Sequence, residues 1–159
     1  QLDRFMFNIR IGYPSEEEEF QIVRRTTADQ SPQVTRVISH EELGRFQHLV
    51  RRIPVADHVI RFAMRFSRST RRQEPDAPEF IKNYVSWGAG PRASQSLILA
   101  AKARALLSGK TFVGTEEILA VALPVLRHRV ITNFNAEAEG IDPDGVIRRL
   151  MESIPVTGS

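Results

Sequence analysis

The stretch GAGPRASQSLILAAKARALLSG, residues 88–109, decides how the rest of the chain is read. Gly88, Gly90 and Pro91 specify an unusual turn. A long helix then runs from about residue 92 to residue 108 and stops at Gly109. Leu97, Ile98, Leu99, Ala100, Ala101, Ala103, Ala105, Leu106 and Leu107 leave it little polar surface. An all-round apolar helix belongs at the centre of a domain.

Arg92 stands out in that stretch, because the first turn of a helix favours carboxylates over cations. A cation there gains when an anion is delivered to the same helix end, where free backbone amides also point. The alternative is a plain glycine-rich connection with an exposed arginine. The residues alone leave the two readings level.

Toward the C-terminus, Thr115 is expected to cap a helix over residues 116–123, which Pro124 kinks or restarts. Arg127-His128-Arg129 could grip an acidic partner or a nucleotide. The favoured reading is a helix C-terminus with basic residues suited to its dipole. Residues 132–141 read as loop. Asp142-Pro143 opens a last helix with an N-cap and a proline at its first position. Val146, Ile147, Leu150, Met151 and Ile154 form its apolar side.

Toward the N-terminus, residues 80–87 read as a short helix and residues 73–78 as a polar, proline-containing loop. Before it, Val55, Val59, Phe62, Ala63 and Phe66 repeat on one face of a helix, and Arg61, Arg65, Arg68 and Arg72 occupy the other. Such a stripe is ordinarily a solvated face, with a nucleic-acid or partner surface as the rival. The preceding helix has a capping box, Ser39 with Glu42. Leu43, Phe46, Val50 and Ile53 are expected on its buried side, and Pro54 ends it. Val37-Ile38 reads as a possible short strand, and residues 28–36 as a loop containing Ser31-Pro32. Ser15 caps a first helix whose opening turn is Glu16 to Glu19, with Arg24 and Arg25 near its end, as the dipole prefers. Phe20 and Val23 give it a short apolar stripe.

Ahead of the Gly12-Tyr13-Pro14 break, Phe5, Phe7, Ile9 and Ile11 alternate with Met6, Asn8 and Arg10, the pattern of a half-buried strand. A strand must pair its backbone groups. No other segment promises a strand of similar length, so this one is expected to have lost its sheet. The chain also begins with Gln1, inside what reads as ordered structure, and is expected to be a piece of a longer protein. Arg4, just ahead of the strand, is either a solvated arginine or a finger that grips phosphate oxygens with its planar fork.

Composition narrows the chemistry. The 159 residues carry a net charge of +3 and no cysteine, which excludes disulfides, thiolate metal sites and thiol catalysis. A cysteine-free chain fits a reducing cytoplasm. No apolar run approaches a membrane span. His40, His48, His58 and His128 lack metal-ligand spacing. No Gly-x-x-x-x-Gly-Lys-Ser/Thr occurs, so the usual phosphate-cradling loop is absent from this chain. The expected class is mainly α, a bundle of roughly six helices behind one strand.

These residues together resemble MoxR-type AAA+ ATPases. Gln1-Leu2-Asp3-Arg4-Phe5-Met6-Phe7 and Ile11-Gly12-Tyr13-Pro14-Ser15 look like the end of that family's ATPase core. Residues 88–93, Ala101-Lys102-Ala103-Arg104-Ala105, Thr115-Glu116-Glu117-Ile118 and Leu123-Pro124-Val125-Leu126-Arg127-His128-Arg129 look like its helical lid. The resemblance implies a division at residues 1–14, core remnant and hinge, and 15–159, the lid domain. The leading strand would be left over from the α/β core. It implies Arg92 as second sensor, Arg4 as an arginine finger acting in trans, and Gly90, Pro91 and Tyr13 near the nucleotide. Members commonly show Gly-Ala-Ser-Pro-Arg where this chain has Gly-Ala-Gly-Pro-Arg. The resemblance further implies ATP and magnesium in the full-length protein, with none bound to this piece alone. It implies a hexameric ring and chaperone-like remodelling of partner proteins, with a von Willebrand factor A domain protein among them. Nucleic acid is not an expected partner; a helical nucleic-acid-binding or adaptor module is the alternative.

Overall fold

The computed structural model describes residues 1–29 and 33–154. It is mainly helical, as expected. Helices α1 (Glu16–Thr26), α2 (His40–Arg52), α3 (Asp57–Arg68), α4 (Glu79–Tyr84), α5 (Pro91–Leu107), α6 (Thr115–Ala120), α7 (Ala122–Leu126), α8 (Phe134–Ala138) and α9 (Pro143–Ser153) follow a short 3-10 turn at Leu2–Arg4. Helix α5 is the hub: α2, α3, α6, α7 and the 3-10 turn all pack on it. Its Ala93, Leu97, Ala100, Ala101 and Ala105 are buried. Small residues along this stripe let the neighbouring helices approach closely. Phe62 and Phe66 of α3, Ile118 of α6, Val125 and Leu126 of α7, and Ile147 and Leu150 of α9 complete the core.

The local signals act as the sequence suggests. Ser15 and Ser39 each form a capping box, with Glu18 and Glu42, and Asp142 caps α9 through the amide of Gly145. Four expectations shift. The cap of α6 is Gly114, not Thr115, and the Glu117 carboxylate supplies the missing side-chain acceptor for its amide at 2.8 Å. Residues 80–87 divide into the end of α4 and a strand β1 (Val85–Trp87), which pairs antiparallel with β2 (Ile131–Thr132). Part of the expected loop over 132–141 winds into α8, capped by Asn133. Val37 and Ile38 lie in no strand, and the Ser31-Pro32 step falls outside the described residues.

Two apolar faces are also less covered than their periodicity suggests. Leu43 and Phe46 of α2 remain about half exposed, at 47% and 54%, and α1 buries no residue at all. Periodicity shows which side of a helix is apolar, not whether something covers it.

The segment expected as a strand, residues 5–11, precedes the bundle without a helix and belongs to no sheet among the described residues. It lies as a strap against α7 and the residues that follow. Its backbone groups turn to other partners: the amide of Asn8 donates to the Pro124 carbonyl at 2.8 Å, and side chains of residues 127–129 meet its carbonyls. Part of what a ladder would supply is met here by Arg127, Arg129, His128 and the Pro124 carbonyl.

Candidate functional site

The loop before α5 is built by α3's C-terminal end. Thr70 is fully buried; its Oγ1 donates to the Ser67 carbonyl at 2.6 Å and accepts from the Ala89 amide at 2.8 Å. Arg71 Nε donates to the Ala89 carbonyl at 2.8 Å, so both backbone groups of Ala89 are held. Gly88 passes so close to Thr70 that a Cβ would sit 2.4 Å from the Thr70 carbonyl oxygen. Gly90 has no such neighbour; nothing lies within 4 Å of where its Cβ would stand. Glycine is therefore demanded at 88 by close approach and merely permitted at 90.

That loop delivers Arg92 to the first turn of α5. Its N-cap, Gly90, provides no side-chain cap, Pro91 fills the first helical position, and the first turn holds no acid. The Arg92 side chain is 66% exposed, and its Nη1 lies 3.6 Å from Asp3 Oδ2. The guanidinium thus stands in solvent beside the positive end of α5, on the side where the 3-10 turn packs. An uncapped N-terminus with a flexible cation beside it fits a phosphate group. A cleft of about 400 Å³ opens alongside, bounded by Asp3, Trp87, Gly88, Gly90, His128 and Arg129.

Arg4 lies in the 3-10 turn, exposed, with its guanidinium 5.2 Å from the centre of the Phe5 ring. The neighbouring Asp3 brings this turn to Arg92. Tyr13 stands apart: it is fully exposed in a groove with Pro14 and the first turns of α1, and no hydrogen bond or ion pair ties it to Gly90, Pro91 or Arg92. The structure brings Arg92, Gly90, Pro91 and the Arg4 turn to one end of the bundle and leaves Tyr13 outside that group. Among the described residues no cluster of side chains is arranged to hold a metal ion.

The basic triplet at 127–129 does more than complement a helix dipole. Arg129 has only 1% of its side chain exposed. Its Nε donates to Asp3 Oδ1 at 2.9 Å and its Nη2 to the carbonyls of Asp3 at 2.9 Å and Phe5 at 2.7 Å. Nη1 donates to Met6 at 3.2 Å and to Val125, and Ser96 Oγ completes the set. Arg127 grips Asp144 with two bonds, at 3.1 and 3.0 Å, and reaches the Asn8 carbonyl at 3.3 Å. Arg10 extends the same network to Asp142 at 3.0 Å and Asp144 at 3.5 Å.

His128 Nε2 lies 3.0 Å from the Phe5 carbonyl, which can only accept, so the proton sits on Nε2. Its buried Nδ1 has no partner among the described residues. Burial, helped by the neighbouring Arg129 and Arg127, holds the imidazole pKa below its usual value, against the Phe5 bond and the Asp3 charge. The sequence alone favours a helix terminus for the triplet; its N-terminal partners lie 119–126 residues away, in a segment whose carbonyls have no ladder to join.

The arginines of α3 remain on an exposed face. Arg68 pairs with Glu74 at 2.7 Å, and Arg65 lies 5.8 Å from the Phe62 ring centre. A cleft along this face mixes His58, Arg61, Arg65 and Arg68 with Glu74 and Asp76, so its charge is not uniform. No helix among the described residues is long and apolar enough to cross a membrane.

Comparison with known proteins bears on the helical fold. Residues 79–150 match the AAA lid domain family. Over 97% of its length the chain is 35% identical to Chaperone MoxR1 of Mycobacterium tuberculosis, covering 41% of that protein. Over 98% of its length it is 31% identical to the uncharacterized protein YeaC of Bacillus subtilis, covering 46% of it. Its fold superposes with a TM-score of 0.88 and 28% identity on a crystal structure of a candidate ATPase from Cytophaga hutchinsonii, covering 99% of this chain and 48% of that one. The chain therefore spans less than half the length of each. From Asp3 through the glycine turn to Arg129, the residues that shape the exposed end of α5 lie within a chain that belongs to the MoxR-type AAA+ ATPase family and carries its AAA lid domain.

Proposed function

We propose that this chain is the lid portion of an ATPase in which Arg92 reads the terminal phosphate of a bound nucleotide. The observation that carries the reading is Arg92 itself: a largely exposed guanidinium on the uncapped first turn of the central helix, with no acid in that turn. A phosphate oxygen placed there would meet the arginine fork and the positive end of the helix dipole together. Arg92 would bind better with the terminal phosphate present, so hydrolysis would weaken the lid's hold on the nucleotide, and that difference drives lid rotation. Gly90 and Pro91 shape the approach; Tyr13 would contribute through the hinge at Gly12-Tyr13-Pro14 rather than through contact with Arg92.

Arg4 would serve a neighbouring subunit as arginine finger, which requires a ring; a hexamer is the assembly proposed. Arg92 would hold the terminal phosphate of the nucleotide in its own subunit, and Arg4 that of the nucleotide in the neighbouring one. ATP and magnesium, when bound, supply the phosphoryl group and the metal that neutralises it. The rest of the nucleotide's enclosure belongs to a core domain expected in the full-length protein. The proposed work is chaperone-like remodelling of partner proteins in the cytoplasm, with a von Willebrand factor A domain protein as one partner. The resemblance to Chaperone MoxR1 supports this reading.

The test is steady-state ATP turnover of the full-length protein carrying Arg92→Ala. Loss of a preorganised charged contact to the reacting phosphate predicts a drop of roughly a hundredfold. Turnover within about twofold of the unaltered protein would remove Arg92 from the site.

A further inference from the structure

One carboxylate in this molecule touches two guanidinium groups of opposite character. Asp3 Oδ1 accepts from Arg129, whose side chain is sealed in the bundle, while Oδ2 faces Arg92, which stands in solvent. The Asp3 main chain is held as well, because Arg129 Nη2 takes its carbonyl. The residue next to Asp3 is Arg4, and the turn they share closes through the Phe5 amide on the Leu2 carbonyl at 3.0 Å. Among the described residues no hydrogen bond joins Arg92 to the backbone of that turn; its ion pair there is with the Asp3 carboxylate, although α5 itself also packs on the turn.

We propose that Asp3 is a positioning residue that couples Arg92 to the turn bearing Arg4. This rests on the reading of Arg92 as a phosphate contact. With no phosphate at the helix end, Asp3 holds Arg92 and the turn is braced from both sides, by Arg129 from within and by Arg92 from without. A phosphoryl group competes with Oδ2 for Arg92. When Arg92 transfers to it, Asp3 keeps only its buried partner and the turn relaxes. Coupling of this kind is reciprocal, so whatever fixes the turn also alters the affinity of Arg92 for phosphate. The linkage runs from a cation acting within its own subunit to one proposed to act on the next. A solvent-exposed pair at 3.6 Å is a weak contact, so the coupling amounts to a few-fold effect.

Amide exchange by NMR on this chain tests it. Phe5 reports the turn, and Asn8, held by the Pro124 carbonyl, reports the strap beyond it. Arg92→Ala is expected to raise exchange at Phe5 roughly two- to fivefold while leaving Asn8 unchanged. Inorganic pyrophosphate should produce the same rise in the unaltered chain, against sodium chloride of equal ionic strength, and none in Arg92→Ala. Asp3→Asn should start from the raised level and ignore pyrophosphate. Unaltered Phe5 exchange in Arg92→Ala overturns the coupling, as does a pyrophosphate response that persists in Asp3→Asn. A raised Phe5 rate in Arg92→Ala upholds the linkage even if turnover of the full-length Arg92→Ala protein proves normal; that second result strikes only the phosphate-reading role.

Discussion

Replacing Arg129 with alanine is the perturbation that tests the N-terminal strap most directly. The side chain is 1% exposed and donates to Asp3, Phe5, Met6, Val125 and Ser96. Hydrogen bonds from a charged donor contribute about 1.5–3 kcal/mol each when counted singly. They do not add here. Asp3 is 44% exposed at its side chain, and Phe5 and Met6 lie at the surface, so their freed oxygens rehydrate. The Val125 carbonyl lies in the core and does not rehydrate freely. Against these losses stands the guanidinium's own desolvation, several kcal/mol, which vanishes with the side chain. The net expectation is a destabilisation of about 2–4 kcal/mol. For a domain of this size each kcal/mol moves the midpoint by about 2–4 °C, which puts the thermal midpoint roughly 4–16 °C lower. Thermal denaturation by circular dichroism, paired with amide exchange at Asn8, reads both the bundle and the strap. Arg129→Met keeps most of the volume without the fork and should recover little of the loss; Arg129→Lys keeps the charge and should recover about half at most. A midpoint within about 2 °C of the unaltered chain, with Asn8 exchange unchanged, would refute the reasoning, and full recovery in Arg129→Met would show that packing rather than hydrogen bonding fixes the strap.

Other substitutions check the loop and the histidine. Gly88→Ala forces a Cβ into the Thr70 backbone and should cost about 1–3 kcal/mol, whereas Gly90→Ser meets open space at an N-cap position and should stabilise by roughly a few tenths of a kcal/mol; urea titration separates the two. Thr70→Val keeps the shape but strips the Ala89 amide of its buried acceptor, for an expected loss of about 1–3 kcal/mol in the same titration. His128 is held neutral in the fold by burial, so the unfolded chain binds more protons than the native one as pH falls. Its contribution is full above the unfolded value, about 6.5, and is lost progressively below it, as protonation sets an imidazolium between Arg127 and Arg129. Melting curves from pH 7.5 to pH 5 should therefore fall more steeply for the unaltered chain than for His128→Gln; equal slopes would contradict this.

Much of the fold was legible because its signals are local. A serine with a glutamate three residues on satisfies orphan amides wherever it occurs: the Ser39–Glu42 box formed where the sequence placed it, and Ser15, expected as a cap, forms a box with Glu18 as well. The central helix followed from its own composition, since residues apolar all round can lie only inside. The place of Arg92 at the head of that helix was also legible, while the residues alone left its role level between phosphate contact and exposed connection. Residues 5–11 stand outside any sheet among the described residues, as expected of a strand that has lost its partners, because alternation reports a preference for extended backbone and not the presence of a ladder.

What only the tertiary structure decided is where partners come from. Nothing near Thr70 or Arg71 in the chain announces that they hold Ala89, 19 and 18 residues away respectively. Nothing near Arg129 announces a grip on the strap more than 120 residues earlier. Capping, periodicity and turn chemistry act between neighbours and are written in sequence. The satisfaction of buried donors and exposed carbonyls acts through space, and its bookkeeping closes only when the chain has folded.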